Sequence, residues 1–149
     1  MTLLNNADQL RSMMIIPAKH LKVMLIEDDE TLAEIVMAIV ALWENIELET
    51  YSLFSNLPPH CFMLPDYFMG FDDSLYKKDI IILDNNLSHI TYTGAYIASK
   101  VREKTPTCKI LSFSIEAQKY GDGDFTQKSK LPDERAIENL IFCMNQLIA

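Results

Sequence analysis

Lys78-Asp79-Ile80-Ile81-Ile82-Leu83-Asp84-Asn85-Asn86-Leu87 decides how the chain is read. Four consecutive apolar residues, three of them β-branched, predict a strand buried on both faces, as in the middle of a parallel sheet. The run stops at Asp84, and two asparagines turn the chain at once. Asp84 is thereby placed at the strand's carboxyl lip, where open α/β sheets hold their ligands. It is the residue expected to carry the chemistry.

Working outward, Leu21 to Ile26 is a second apolar run, and it ends in Glu27-Asp28-Asp29-Glu30. Leu32, Ile35, Val36, Ile39, Val40 and Trp43 then recur at helical spacing, with Asp29 as a plausible N-cap. Acids in a first helical turn need no special function. That accounts for Asp29 and Glu30 but not for Glu27 and Asp28, which fall at the strand's end. Ile46 to Tyr51 alternates and predicts an edge strand with one wet face. Residues 52–78 form a long connection broken by Pro58, Pro59 and Pro65 and rich in Phe, Met and Tyr. Cover for the sheet is the favoured reading of it, with a partner surface as the alternative.

Beyond Asp84, a helix is expected from Gly94 to Lys104 and a strand from Cys108 to Ser114. Only Ile115 to Asp122 separates that strand from the last one, near Gly123 to Gln127. This is too short for an ordinary helical crossover. Lys128 closes the last strand, and Pro132 at a helical N1 position opens a final helix carrying Ile137, Leu140, Ile141, Met144 and Leu147 inward. At the other end, residues 1–20 read as an N-terminal extension. Leu3, Leu10, Met13 and Met14 are able to line a short helix stopped by Pro17, but a loosely packed arm is the preferred reading.

Composition removes several classes of function. With 49% apolar residues in 149, a full core is affordable within one domain. The net charge of −8, 13 basic against 21 acidic residues, argues against direct nucleic-acid binding. Membrane-spanning and signal-peptide patterns are lacking, so a cytoplasmic chain is expected. Cys61, Cys108 and Cys143 are odd in number and far apart, which predicts reduced thiols, and His60-Cys61 is only half of a metal site.

Each inner strand therefore ends in a polar residue: Glu27 and Asp28, then Asp84, then Ser114, then Lys128. In a sheet of order 2-1-3-4-5 these ends meet at the crevice where the order reverses. Unit charges ~4 Å apart repel by ~4 kcal/mol at an effective dielectric near 20, so gathered carboxylates call for compensation. A hard divalent cation with oxygen ligands fits, Mg²⁺ in particular, beside the Lys128 ammonium. A carboxylate in that setting is a nucleophile toward phosphorus, with cation, amine and hydroxyl stabilising the transferred oxygens.

From Leu21 to the end, with these residues in this order, the chain resembles the receiver domain of two-component response regulators. The resemblance implies a flavodoxin-like (βα)5 fold with parallel sheet order 2-1-3-4-5, residues 21–149 forming the receiver domain. It implies Mg²⁺ held by Glu27, Asp28, Asp84 and the backbone carbonyl of Asn86, with Asp84 the phosphoacceptor. It further implies Lys128 and Ser114 as phosphoryl contacts, Ser114 and Phe125 as switch residues, and Asn86 and Glu116 as tuning positions. The partners implied are a histidine kinase or phosphotransfer protein and a downstream protein; a homodimer is left open. The chain departs from the pattern in three places. Ser129 follows the lysine where proline is usual, the stretch from Asp84 to Gly94 is long, and the fourth helix is shortened or missing, alongside the insertion between strands 2 and 3. Two rivals are a pseudo-receiver acting as a phosphorylation-independent interaction module and a haloacid-dehalogenase-type hydrolase. The latter needs a second carboxylic acid where this chain has Asn86.

Overall fold

The computed structural model describes residues 6–51, 77–85, 87 and 93–149. Five strands form one wholly parallel sheet: β1 (Leu21–Ile26), β2 (Ile46–Tyr51), β3 (Ile80–Leu83), β4 (Lys109–Phe113) and β5 (Gly123–Phe125). Their order across the sheet is β2-β1-β3-β4-β5, so the order reverses between β1 and β3. This is a doubly wound, flavodoxin-like arrangement.

The two-faced burial read from the isoleucine run is present. Val23, Leu25, Ile80, Ile82, Leu111 and Phe113 share one core. Met24, Ile26, Ile81, Leu83 and Ile110 share the other. Helices α2 (Glu30–Val40) and α4 (Glu134–Ile148) close the first face, and α3 (Gly94–Lys104) closes the second. Two of them start on side-chain caps. Asp29 accepts from the Leu32 amide at 3.1 Å and Thr93 from the Tyr96 amide at 3.1 Å, each meeting an otherwise orphaned donor. Cys108 is buried and burial pushes its thiol up to about 12, in keeping with an unreactive reduced core cysteine.

No helix lies between β4 and β5: residues 114–122 are bends, turns and irregular chain. The connector is held instead by side chains. Asp122 accepts from the Ile110 amide at 2.8 Å while its own amide donates to the Ile110 carbonyl at 2.7 Å. Ser112 donates to Asp124, which also accepts from the Gln118 amide at 3.3 Å. A Cβ on Gly121 would fall 2.9 Å from the Ser112 nitrogen, so the connector crosses β4 where only glycine fits without rearrangement. The missing helix is thus replaced by a tight, hydrogen-bonded strap. Of the 52–78 connection between β2 and β3, residues 52–76 lie outside the described residues.

Three local expectations are corrected. The preferred reading of a loose N-terminal arm fails, because helix α1 (Ala7–Met13) docks on α4 with Leu10 only 3% exposed and Met14 buried. Asn145 receives the Ile15 amide and donates to the Met13 carbonyl, Trp43 donates to the Ile15 carbonyl, and Asn45 to that of Pro17. Those partners lie 28 to 132 residues away in sequence, out of reach of local pattern. Leu3, assigned to the same face, is outside the described residues. Next, β5 ends at Phe125, and Lys128 opens a single 3-10 turn, Lys128–Lys130, rather than closing the strand. Lastly, Pro132 precedes the final helix, which starts at Glu134 with Asp133 at the N-cap; the Leu131–Pro132 peptide is cis. Among the described residues no helix is long and apolar enough to cross a membrane.

Candidate functional site

Strand register sets the site. Ile26 of β1 lies opposite Leu83 of β3, so the residues that follow, Glu27 and Asp84, emerge level with each other. Phe113 lies opposite Phe125, which brings Ser114 alongside them and points the chain after β5 toward the same edge. One carboxylate oxygen from each of Glu27, Asp28 and Asp84 lies within 4.8 Å of the others. Glu27 and Asp84 are almost fully enclosed, at 4% and 1% exposure, and Asp28 is half-buried.

Lys128 reaches into this cluster from its 3-10 turn. Its ammonium is 2.8 Å from Asp84 Oδ1 and 3.3 Å from Glu27 Oε2, with the Phe113 ring centroid at 5.7 Å. Burial works to lower its pKa, but the hydrogen bonds and charges of Asp84 and Glu27 outweigh that and raise it. Glu27 moves the other way from an ordinary acid. Burial first, then the Asp84 charge and a hydrogen bond with Asp28, push its carboxyl up to about 8, against the pull of Lys128 and the Asp29 amide. One ammonium therefore does not satisfy three acids.

The donor set matches a second cation. Three carboxylate oxygens gathered on one side of an open cleft could hold a hard divalent ion. The cleft holds about 580 Å³, with Ser114, Glu116, Gln118 and Leu32 on its walls. The Ser114 hydroxyl is buried and donates to the Glu116 carbonyl, inside its own connector. Phe125 does not line the cleft; it is buried below it, stacked on Phe113 with ring centroids 5.5 Å apart. Asn86, with its carbonyl, lies outside the described residues.

No protein-family model and no curated protein matches the chain. Among solved structures it is similar to the receiver domain of the histidine kinase CKI1 from Arabidopsis thaliana, complexed with Mg²⁺ and BeF₃⁻. That likeness covers 97% of this chain and 95% of that one, at 12% identity and a TM-score of 0.49. The chain's own strand order decides the fold. This is a flavodoxin-like fold. Relative to that fold the chain has a strap where the helix between β4 and β5 would be, and an insertion between β2 and β3.

Two features of this fold carry no sequence signal by themselves. The first is Gly94 at the start of α3, whose amide donates to the Asn85 carbonyl at 3.0 Å while Asn85 Oδ1 accepts from Ala95 at 3.2 Å. A Cβ there would sit 2.5 Å from the Asp84 carbonyl oxygen and 2.7 Å from Asn85 Cα, both rigid backbone. Gly94→Ala is accordingly expected to lower the urea unfolding free energy by ~1–3 kcal/mol, the usual cost of overpacking, and to displace the Asp84 loop. A urea melt matching wild type would contradict that close approach. The second is Tyr120 in the strap, whose ring packs against the α3-side core. A lone aromatic in a nine-residue loop reads as surface until the path of the loop is known.

Proposed function

We propose that the chain is a phosphoaccepting receiver domain, taking a phosphoryl group onto Asp84 from a histidine kinase or phosphotransfer protein. The observation that carries this reading is the Lys128 ammonium on Asp84 at 2.8 Å, within a cluster of three acids too negative for one amine. Neutral hydrophobic packing would not assemble such a group at a strand-order reversal, where burying unpaired carboxylates is costly.

The chemistry asked of each residue is modest. Asp84 Oδ attacks phosphorus in line; the donor's phosphorus–nitrogen bond breaks as the oxygen–phosphorus bond forms. The donor imidazole, already protonated on its other ring nitrogen, takes the electron pair of the broken bond and leaves neutral. Lys128 stays on Asp84 and follows the phosphoryl oxygens as they arrive, which neutralises charge without moving a proton. Ser114 has one hydroxyl proton, directed to the Glu116 carbonyl. Turning it to a phosphoryl oxygen would release that bond and couple acceptor to connector. Glu27, Asp28 and Asp84, with the Asn86 carbonyl, are the residues that would hold Mg²⁺, which when bound offsets phosphoryl charge. Phe125 is assigned the switch position, and Glu116 and Asn86 the positions that tune the lifetime of the phosphoryl group. With a strap in place of the helix after β4, output is assigned to the last strand and helix or to the 52–78 stretch.

Incubation with phosphoramidate and Mg²⁺, followed by intact-mass measurement, tests the reading. One added phosphoryl group is expected, absent when a chelator is present. Unchanged mass in folded protein would favour an interaction module that shares the fold but not the chemistry.

Metal binding is open to a separate test. Mg²⁺ binding the native state alone stabilises by ~2.7 kcal/mol at a hundredfold excess over its dissociation constant. For a domain of this size that is a rise in melting temperature of ~5–10 °C. Asp28→Asn is expected to remove most of the rise. An equal rise in the variant would take Asp28 out of the metal site.

A further inference from the structure

We propose that Tyr120 is a positioning residue: its phenol sets the spacing between Asp84 and Ser114, the acceptor and the hydroxyl beside it. This rests on the phosphoacceptor reading above and names a residue that reading does not include.

The Tyr120 hydroxyl donates to the Leu83 carbonyl at 2.7 Å, and the Phe113 backbone amide is close enough to the phenol oxygen to pull its pKa down. Leu83 is the residue before Asp84, and Phe113 is the residue before Ser114. One phenol oxygen therefore bonds the last carbonyl of β3 beside the last amide of β4, at the point where both strands deliver a side chain to the cleft. Burial, then the charges of Asp84, Asp124 and Glu27, push the phenol well above its usual range, so it stays protonated and remains a donor. The strap fixes the ring from behind. Gly121 crosses β4 at Ser112 too closely for a Cβ, and Asp122 clamps Ile110 through two hydrogen bonds. The ring alone would fill the space over the α3-side core; only the hydroxyl reaches the strand tips. With no helix over this corner, that bond ties the β3 tip to the connector, as the Ser114–Glu116 bond ties the β4 tip.

Removing the hydroxyl while keeping the ring should loosen the two tips without emptying the core. Transfer rates fall ~100-fold for a 1 Å misplacement of reacting groups, so a relaxation of a few tenths of an ångström corresponds to a loss of ~10-fold or less. Mg²⁺ binding should shift by less than the transfer rate, because Glu27 and Asp28, two of the three gathered carboxylates, follow β1, and only Asp84 follows the strand tip whose carbonyl the phenol holds.

The test is a time course of phosphoryl uptake from phosphoramidate, read by intact mass, on wild type, Tyr120→Phe, and a chain with 4-aminophenylalanine at 120. Tyr120→Phe is expected to react ~5–10-fold more slowly at saturating Mg²⁺, with a smaller shift of the Mg²⁺ midpoint and a urea unfolding free energy lowered by no more than the ~1 kcal/mol of one hydrogen bond. The amino analogue, which restores a donor at the same place, should recover most of the rate. A rate equal to wild type in Tyr120→Phe would overturn the inference, as would failure of the amino analogue to restore it. So would a Tyr120→Phe chain that does not fold, since the claim concerns spacing and not the holding of the fold. Wild type that takes up no phosphoryl group removes the phosphoacceptor reading and this inference together; uptake that ignores the phenol removes only this one.

Discussion

Asp84→Asn is expected to abolish phosphoryl uptake, by a factor of roughly 10³ or more, while leaving the fold intact. The substitution is nearly isosteric, so the 1% exposed site stays filled. The amide oxygen still accepts from the Lys128 ammonium, which keeps its second partner, Glu27, at 3.3 Å. What disappears is the negative oxygen that attacks phosphorus; a neutral amide is no substitute as a nucleophile. One carboxylate fewer also relieves repulsion on Glu27, whose second-largest upward push comes from the Asp84 charge. Its carboxyl should therefore fall back toward the ordinary range, which carbon-13 NMR of the side-chain carboxyl would follow. Retained uptake in Asp84→Asn would mean that another residue is the acceptor.

The second large effect is on stability. Lys128→Met is expected to cost ~3–5 kcal/mol in urea unfolding of the metal-free protein, the usual loss when one partner of a buried ion pair is removed. The Lys128 side chain is only 13% exposed and contacts two carboxylates, so water cannot take over its role cheaply. Glu27 is already inclined to hold a proton near neutrality and would hold it more firmly in the variant. That protonation absorbs part of the loss and places the expected value toward the lower end. Mg²⁺ should recover a larger share of stability in the variant than in wild type, because it meets a more negative cluster. A stability change below ~1 kcal/mol, typical of a solvated surface pair, would contradict the enclosed geometry.

Much of the fold is legible from residues alone, for a physical reason. Strands buried on both faces must be apolar at every position, and Val23 to Ile26 and Ile80–Leu83 are. Their ends are marked because a carboxylate is not tolerated inside the sheet but is at its lip, hence Glu27 and Asp84. The Asp29 cap and the absence of room for a helix before Gly123 are equally local, and the structure has both. The failures are those of long-range contact. Nothing in Met13 to Pro17 announces that Asn145, Trp43 and Asn45 will strap it down. Tyr120 is invisible for the same reason: its partner carbonyl is 37 residues upstream. Gly94 stands in plain view as a helix start, yet its need to lack a side chain follows only from where Asp84 and Asn85 pass. At the site, residue types and order are readable, whereas the depth of Glu27 and the double engagement of Lys128 emerge only when β1 and β3 are set in register.

The most direct measurement is to locate the phosphoryl group chemically. Wild-type chain labelled with phosphoramidate and Mg²⁺ is reduced with borohydride, which converts an aspartyl phosphate to homoserine, and the peptides are mapped. The account predicts homoserine at position 84 alone, and none when Mg²⁺ is withheld. Homoserine at another aspartate, or a label that survives on histidine or serine with residue 84 unmodified, would contradict it.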